Sequence, residues 1–303
     1  MQTADNKTAW QRLLEKGGAT RWSLIILAVV VLAAVFGPML LPASFSEVSA
    51  DQFAAPSQAH PFGTDIHGQD MLYRVLTGAR VSLAVGIAGA LIAFFIGTAY
   101  GLVSGYAGGR TDGVMMRLVE ILYAVPRLII LLIAINAFDS RMKTWLAAAG
   151  TPGLVSYSRI VILILSLGLI EWLTMARIVR GQVLALKGQQ FVLAARSLGQ
   201  SHWKILTRHL LPNLVGLVIV YLTLTVPAVI LDESFLSFLG LGIQAPQASW
   251  GSLLADGAQA INPVKSYWWL LAFPAAAMSL TLLALNFLGD ALRDVLDPRS
   301  GPE

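Results

Sequence analysis

The sequence contains no cysteine, and only 13% of its residues are charged. Without cysteine the chain has no disulfide bond, no thiolate metal site and no thiol nucleophile. The scarcity of charge accompanies 56% hydrophobic residues and a mean hydropathy of +0.69. This is more apolar surface than a single soluble core can bury. The composition therefore predicts an integral membrane protein.

Several catalytic motifs are also missing. The sequence has no Gly-Lys-Ser/Thr phosphate loop, no His-Glu-x-x-His and no Gly-x-Ser-x-Gly, the motifs of nucleotide hydrolysis, zinc peptidases and serine esterases. We therefore predict that the chain is not an enzyme, with no catalytic residues, no metal site and no cofactor of its own. His60 and His67 lie near Asp65 and Asp70, a set compatible with a metal or acid–base site, but a folded cap is the preferred interpretation.

The net charge of +4 has two interpretations. A basic chain can bind nucleic acid, but here the basic residues cluster beside apolar runs, as they do in the cytoplasmic loops of membrane proteins. We predict a lipid bilayer as the surrounding medium and no nucleic-acid partner.

Apolar runs long enough to cross a bilayer recur along the chain. They predict an all-α protein with six transmembrane helices, at residues 22–41, 81–106, 118–137, 159–178, 214–231 and 268–288. The first run is longer than the apolar part of a secretory signal, so we interpret it as an uncleaved helix. The predicted units are a cytoplasmic tail (1–21), the first helix with an external loop (22–78), a five-helix core (79–292) and a cytoplasmic tail (293–303). The stretches 42–77 and 138–158 are predicted to be external, and both termini cytoplasmic.

The second run has a small residue at every fourth position: Gly89, Ala93, Gly97, Gly101 and Gly105. This spacing places them on one helix face, where a neighbouring backbone can approach closely. We predict helix packing at Gly97, Gly101 and Gly105; a flexible gating role is the alternative.

Four ionisable residues fall at membrane depth, where charge is costly and usually faces a bundle interior or water. Arg127, Glu171, Asp232 and Glu233 are therefore candidates for cavity or gating residues. Pro126 predicts a bend next to Arg127. The adjacent carboxylates of Asp232 and Glu233 point about 100° apart on a helix, so they do not converge for acid–base catalysis.

Residues 191–213 form a long polar, cation-rich interruption in the apolar second half of the chain. Apolar residues at near-helical spacing alternate with Arg196, Lys204 and Arg208, a pattern that predicts short amphipathic helices broken near Gly199. Pro212 predicts a turn before the next membrane helix. A helix that merely lies at the membrane interface would show the same pattern.

Four stretches carry a family resemblance. They are HPFGTD with GQD (60–65 and 68–70), residues 194–212 with Ala194, Gly199 and Pro212 at their spacing, ESFLSFLGLG (233–242) and NFLGDALRDVLDP (286–298). Together they resemble the C-type permease subunit of ABC importers for peptides, which have the type I importer fold. Gln69 stands where that family usually has arginine. Leu193 stands where its cytoplasmic "EAA" loop often has the namesake glutamate.

The resemblance implies that residues 181–212 form a cytoplasmic loop that couples the permease to an ATPase. The implied coupling residues are Ala194, Ala195, Arg196, Ser197, Gly199, Trp203, Lys204, Arg208 and Pro212. The implied partners are a homologous B-type permease, two ATPases that carry ATP and Mg²⁺, and a periplasmic or extracellular solute-binding protein. The implied location is the bacterial cytoplasmic membrane.

The implied substrate is a peptide, with oligopeptides favoured over dipeptides. Two alternatives remain open. A permease of the same family for nickel or glutathione would share every motif, and an ATP-independent channel or secondary carrier would need no ATPase.

Overall fold

The computed structural model describes residues 17–262 and 264–296. In this part the α-helices are α1 (Gly18–Leu40), α2 (Met71–Ala107), α3 (Gly109–Ala124), α4 (Arg127–Ala148), α5 (Ser158–Leu186), α6 (Gln190–Ser197), α7 (His202–Ile205), α8 (Leu211–Phe238), α9 (Trp250–Gln259) and α10 (Trp269–Leu296). Two 3₁₀ turns (Ala43–Ser46 and Pro152–Tyr157) and a π-helical turn (Leu206–Leu210) complete them. The described ranges contain no β-strand, only an isolated bridge between Thr64 and Asp70.

Five helical stretches are long and apolar enough to cross a membrane: 18–40, 71–107, 153–186, 202–238 and 269–296. Helices α3 and α4 pass the same test only as a pair, bent by 86° at their junction. The described part of the chain thus has five candidate spans, or six when the bent pair counts as one. The all-α membrane architecture is confirmed. The bent pair corresponds to the third predicted span in chain order, at residues 118–137.

The bend between α3 and α4 lies at Val125 and Pro126, as the proline predicts. Pro126 cannot donate a backbone hydrogen bond, and it directly precedes the first residue of α4. The run predicted at 118–137 covers parts of both helices, and the connection after it begins at Ala149 rather than at residue 138, because α4 continues to Ala148. Asp139 and Lys143 form an i,i+4 ion pair at 2.7 Å, which supports the helix through its polar part.

Other predicted boundaries also move. Helix α2 begins at Met71 rather than at residue 81, because Asp70 caps it: a carboxylate oxygen accepts the Leu72 N–H at 2.7 Å. The predicted limit between residues 78 and 79 therefore falls inside a helix. Helix α1 begins at Gly18, before the predicted residue 22. Residues 1–16 and 297–303 of the predicted tails lie outside the described residues.

The loop before α2, which the sequence predicts to be external, is folded against the rest of the chain. Asp65, almost fully buried, accepts the backbone N–H groups of His67 and Gln69 and pairs with Arg74 at 2.5 Å. The Trp269 indole on α10 donates to the carbonyl of Thr64 at 3.2 Å. These contacts hold the loop as a cap over the N-terminal ends of α2 and α10.

The stripe of small residues on α2 faces α5. A Cβ atom added to Gly97 would lie 2.5 Å from the Cβ of Met175, and one added to Gly105 would lie 2.8 Å from the Cβ of Val183. At Gly101 the added atom would collide with the backbone carbonyl of Ala176. Helices α2 and α5 therefore approach at backbone distance along this face.

We expect Gly101→Val to destabilise the protein, because the Ala176 carbonyl cannot move away as a flexible side chain could. Overpacking of this kind costs roughly 1–3 kcal/mol. Thermal unfolding of the purified membrane assembly measures the loss. Gly113→Val is the matched control, since no atom lies within 4 Å of a Cβ added there. Equal unfolding temperatures for the two variants would contradict the close packing of α2 against α5 at Gly101.

Candidate functional site

The segment between α5 and α8, residues 187–210, folds as two short helices and a π-helical turn; we call it the short-helix segment. Helix α6 buries Val192 and Ala195 in a cluster with Ile205, Leu210 and Leu214. Gly199, between α6 and α7, has a φ of +72°, a conformation that favours glycine. The predicted pair of short helices broken near Gly199 is therefore present.

The outer face of this segment is exposed. Of the nine predicted coupling residues only Ala195 is buried. The exposed ones are Ala194, Arg196, Ser197, Gly199, Trp203, Lys204, Arg208 and Pro212. Two large apolar side chains also face outward, Leu198 at 79% and Trp203 at 73% of their full exposure. Together these residues form a surface of mixed apolar and cationic character.

The turn predicted at Pro212 does not form. The helical stretch is continuous from His202 to Phe238, and Pro212 lies in the first turn of α8. In a regular helix its ring would press on the carbonyl of Arg208, four residues earlier. The π-helical turn directly before it, in which the Leu211 N–H donates to the Leu206 carbonyl, widens the helix at that point.

Tyr106, near the end of α2, connects the short-helix segment to the bundle. Its hydroxyl lies 2.8 Å from the Nδ1 atom of His202, and the Arg196 guanidinium lies 5.1 Å from its ring centroid. Lys187 adds a second link by donating to the Gly105 carbonyl at 2.9 Å. These contacts join the short-helix segment directly to the end of α2.

A further connection at this end is absent from the sequence-based predictions. The Nε and Nη2 atoms of Arg180 on α5 donate to the two carboxylate oxygens of Asp112 on α3, each at 2.6 Å. The Ser104 hydroxyl on α2 donates to the same carboxylate at 2.6 Å. Three helices thus meet at one carboxylate. No sequence signal identifies this pair, because its members are 68 residues apart.

Asp112→Ala should destabilise the assembly by roughly 2 kcal/mol, since it removes a bidentate charged pair and leaves Arg180 without it. Glu120→Ala on the same helix is the control. Glu120 pairs with Arg117 at the surface, where both side chains are mostly exposed, so its loss should change stability little. The unfolding temperatures of the two variants are compared. Equal decreases would show that the Asp112–Arg180 pair stabilises the assembly no more than an exposed surface pair does.

Three of the four charged residues predicted at membrane depth come together at the bend between α3 and α4. The Arg127 guanidinium lies 3.5 Å from Glu171 on α5 and hydrogen-bonds Asp232 on α8. The Arg127 side chain is 46% exposed, against 12% for Glu171 and 17% for Asp232. One cation thus bridges two carboxylates at the surface of the chain, an arrangement that fits a water-filled face better than lipid.

The same bend contains further polar groups. The Tyr123 hydroxyl on α3 lies 2.5 Å from that of Thr174 on α5, and the Arg177 guanidinium lies 3.6 Å from the centroid of the Tyr123 ring. A cavity of about 160 Å³ opens here, with Tyr123, Arg127, Glu171 and Thr174 among its lining residues. Sequence reasoning did not single out Tyr123 and Thr174, because a hydroxyl in an apolar run is an ambiguous signal.

Glu233 lies apart from this cluster. It is fully buried among serines, accepting from Ser237 at 2.6 Å and from Ser82 on α2 at 3.2 Å. The Ser82 hydroxyl also accepts the Trp250 N–H at 3.1 Å, at the start of α9. Glu233 therefore joins α2, α8 and α9 instead of facing a cavity, and Asp232 and Glu233 point to different surroundings as helix geometry requires.

A second cavity, of about 450 Å³, lies between the folded cap and α9. Its charged lining is Asp65, Asp256 and Arg74, which bridges the two carboxylates. The His60 imidazole contacts Asp70 at 3.0 Å. The polar residues of the loop thus bond to one another and hold the folded cap together. In the part of the chain that the structure describes, no three His, Asp or Glu side chains are grouped as metal ligands.

The chain is similar to known membrane transport subunits over nearly its whole length. Residues 97–301 match the family described as binding-protein-dependent transport system inner membrane component. The dipeptide transport system permease protein of Bacillus subtilis (strain 168) is 46% identical over 292 residues, covering 96% of this chain and 85% of that protein. Two oligopeptide transport system permease proteins, from Haemophilus influenzae and Escherichia coli (strain K12), are 43% and 42% identical over 301 residues. These matches cover 97% of this chain, and 90% and 93% of those two proteins.

Proposed function

The chain belongs to the family of binding-protein-dependent transport system inner membrane components, and from that premise we propose that it is a permease subunit of an ATP-driven peptide importer. The observation that carries this proposal is the near full-length similarity to curated dipeptide and oligopeptide permeases. Both substrate classes occur among these relatives, so the preference for oligopeptides stays a prediction.

The polar cluster at the α3–α4 bend supports a role in translocation. A permease subunit needs a face at membrane depth that tolerates a polar solute, and charged residues in spans usually mark such paths. Arg127, Glu171 and Asp232 provide that face on one side. We propose that a homologous B-type permease provides the other side, so that the peptide passes between the two chains.

The short-helix segment supports the proposed coupling to ATP hydrolysis. Exposed Leu198 and Trp203 next to Arg196 and Lys204 suit an apolar cleft with an acidic rim on a partner protein. The relatives are permease proteins of transport systems, and in this proposal the chain has no ATPase site of its own. ATP and Mg²⁺ would bind to two ATPase subunits, and Tyr106 would receive the displacement of the segment.

The family description supports a multi-pass protein of the inner membrane. We propose that the short-helix segment and both termini face the cytoplasm, in accordance with the distribution of basic residues. A solute-binding protein would then dock on the opposite side, near the folded cap and α9.

Uptake by the reconstituted importer tests the proposed function. Proteoliposomes that contain this chain, its permease and ATPase partners and the binding protein should accumulate labelled dialanine or pentaalanine only with Mg-ATP inside. Omission of the binding protein should abolish uptake. Uptake of nickel or glutathione in place of peptide would support the alternative solutes, and accumulation without ATP would support a channel or secondary carrier.

A further inference from the structure

A line of polar side chains follows α5 past the bend. Glu171, Thr174 and Arg177 are spaced three residues apart, so they follow a slanted row on the side that contacts Tyr123 and Arg127. The row has a negative end at Glu171, next to Asp232, and a positive end at Arg177. With a rise of 1.5 Å per residue, these ends are about 9 Å apart along the helix axis.

The acidic end can accept a further cation. Arg127 contacts one oxygen of each carboxylate, Oε1 of Glu171 and Oδ2 of Asp232. The second oxygen of each has no hydrogen-bond partner among the residues that the structure describes. Two carboxylates share a single guanidinium, which leaves one negative charge, and an ammonium group would neutralise it.

The basic end can accept an anion. Within the described ranges Arg177 lies near no carboxylate at ion-pair distance; its guanidinium lies over the Tyr123 ring, and its side chain is exposed. It lies inside α5, more than two turns before the end at Leu186. An exposed guanidinium without a carboxylate partner is free to bind an anionic group.

We infer that this row is a binding subsite for short zwitterionic peptides, an inference that rests on the proposed peptide import. The α-ammonium group binds at Glu171 and Asp232, and the terminal carboxylate binds at Arg177. An extended chain spans at most about 3.3–3.6 Å per residue, so two or three residues bridge the 9 Å between the ends. The hydroxyls of Thr174 and Tyr123 lie between the ends, where they can hydrogen-bond the peptide backbone. A peptide of five residues is too long for its termini to occupy both ends in extended form.

Initial uptake rates of the complete importer test this subsite. The binding protein is saturated with labelled trialanine or pentaalanine, so that the rate reports events in the permease. Arg177→Gln and Glu171→Gln should each lower trialanine uptake about tenfold, the size of a lost charged hydrogen bond. Pentaalanine uptake should stay within about twofold. Arg177→Lys keeps the charge and should retain most of the trialanine rate, and Arg117→Gln, on the exposed face of α3, should change neither rate.

The outcomes separate the subsite from the proposed function. If the wild type transports neither peptide with ATP, peptide import itself fails. If it transports both and Arg177→Gln lowers both equally, Arg177 has a structural role and the subsite is wrong. The subsite is also wrong if Arg177→Gln changes neither rate, because that result is expected for an arginine that only extends toward the membrane interface. It is wrong as well if the wild type transports pentaalanine alone. If the wild type transports trialanine alone, loss in Arg177→Gln with rescue in Arg177→Lys supports the subsite, and loss in both contradicts it.

Discussion

Simultaneous replacement of Leu198 and Trp203 by alanine is expected to release the ATPase subunits from the permease and to stop peptide uptake. Both side chains are large, apolar and more than 70% exposed on the short-helix segment. Buried tryptophan at the centre of an interface contributes about 2–4 kcal/mol to binding, so the two losses together should weaken docking by more than a hundredfold. The measurement is the amount of ATPase that co-purifies with the tagged variant, together with ATP-dependent uptake.

The control for this variant is Val264→Ala, in the loop before α10. Val264 is 94% exposed, so the change also removes an exposed apolar side chain, but on a part of the surface remote from the short-helix segment in the proposed topology. It should retain the ATPase. Gly199→Val tests the conformation of the segment instead of its side chains. A valine side chain meets no neighbouring atom there, so the variant acts only through the backbone φ of +72°, which is unfavourable for valine. Full ATPase retention and uptake in the double variant would exclude the short-helix segment as the docking surface.

Arg127→Ala is expected to give the second large effect, a loss of peptide uptake of tenfold or more with a less stable assembly. The variant leaves Glu171 and Asp232 facing each other at membrane depth without their shared cation. Loss of the charged hydrogen bond to Asp232 and of the ion pair with Glu171 should by itself cost roughly 1–3 kcal/mol. Thermal unfolding and initial uptake rates are measured on the same preparations.

A charge-free triple variant separates the structural effect from the transport effect. Arg127→Gln combined with Glu171→Gln and Asp232→Asn removes the unpaired carboxylates, so stability should return to near the wild-type value. Trialanine uptake should stay low if the charges contact the peptide. Recovery of both stability and uptake would show that the three residues only hold α4, α5 and α8 together.

The parts of the fold that the sequence predicts depend on local periodicity. Apolar runs of membrane length predict the long helices, and small residues at every fourth position predict a closely packed face on α2, although not that α5 is its partner. Pro126 predicts the bend. Helix ends are predicted less accurately from the sequence. Polar residues at the ends of α2 and α4 remain helical because Asp70 caps α2 and the Asp139–Lys143 ion pair supports α4.

The site is only partly visible in the sequence. Charge at membrane depth identifies Arg127, Glu171 and Asp232 one by one, but their meeting depends on how three helices cross, since Arg127 and Asp232 are 105 residues apart. The same holds for Asp112 and Arg180. Glu233 has the same local signal as Asp232 and a different role, because its helix face turns toward the serines of α2 and α8 instead of the bend.

The most direct test of the importer assignment is the composition of the native assembly. The chain, tagged at its own locus and purified in mild detergent, is analysed by mass spectrometry for every companion present in stoichiometric amount. We predict one related permease and two ATPase copies, alike or different, per tagged chain. A homo-oligomer without any nucleotide-binding companion would contradict the importer and point to a channel or secondary carrier.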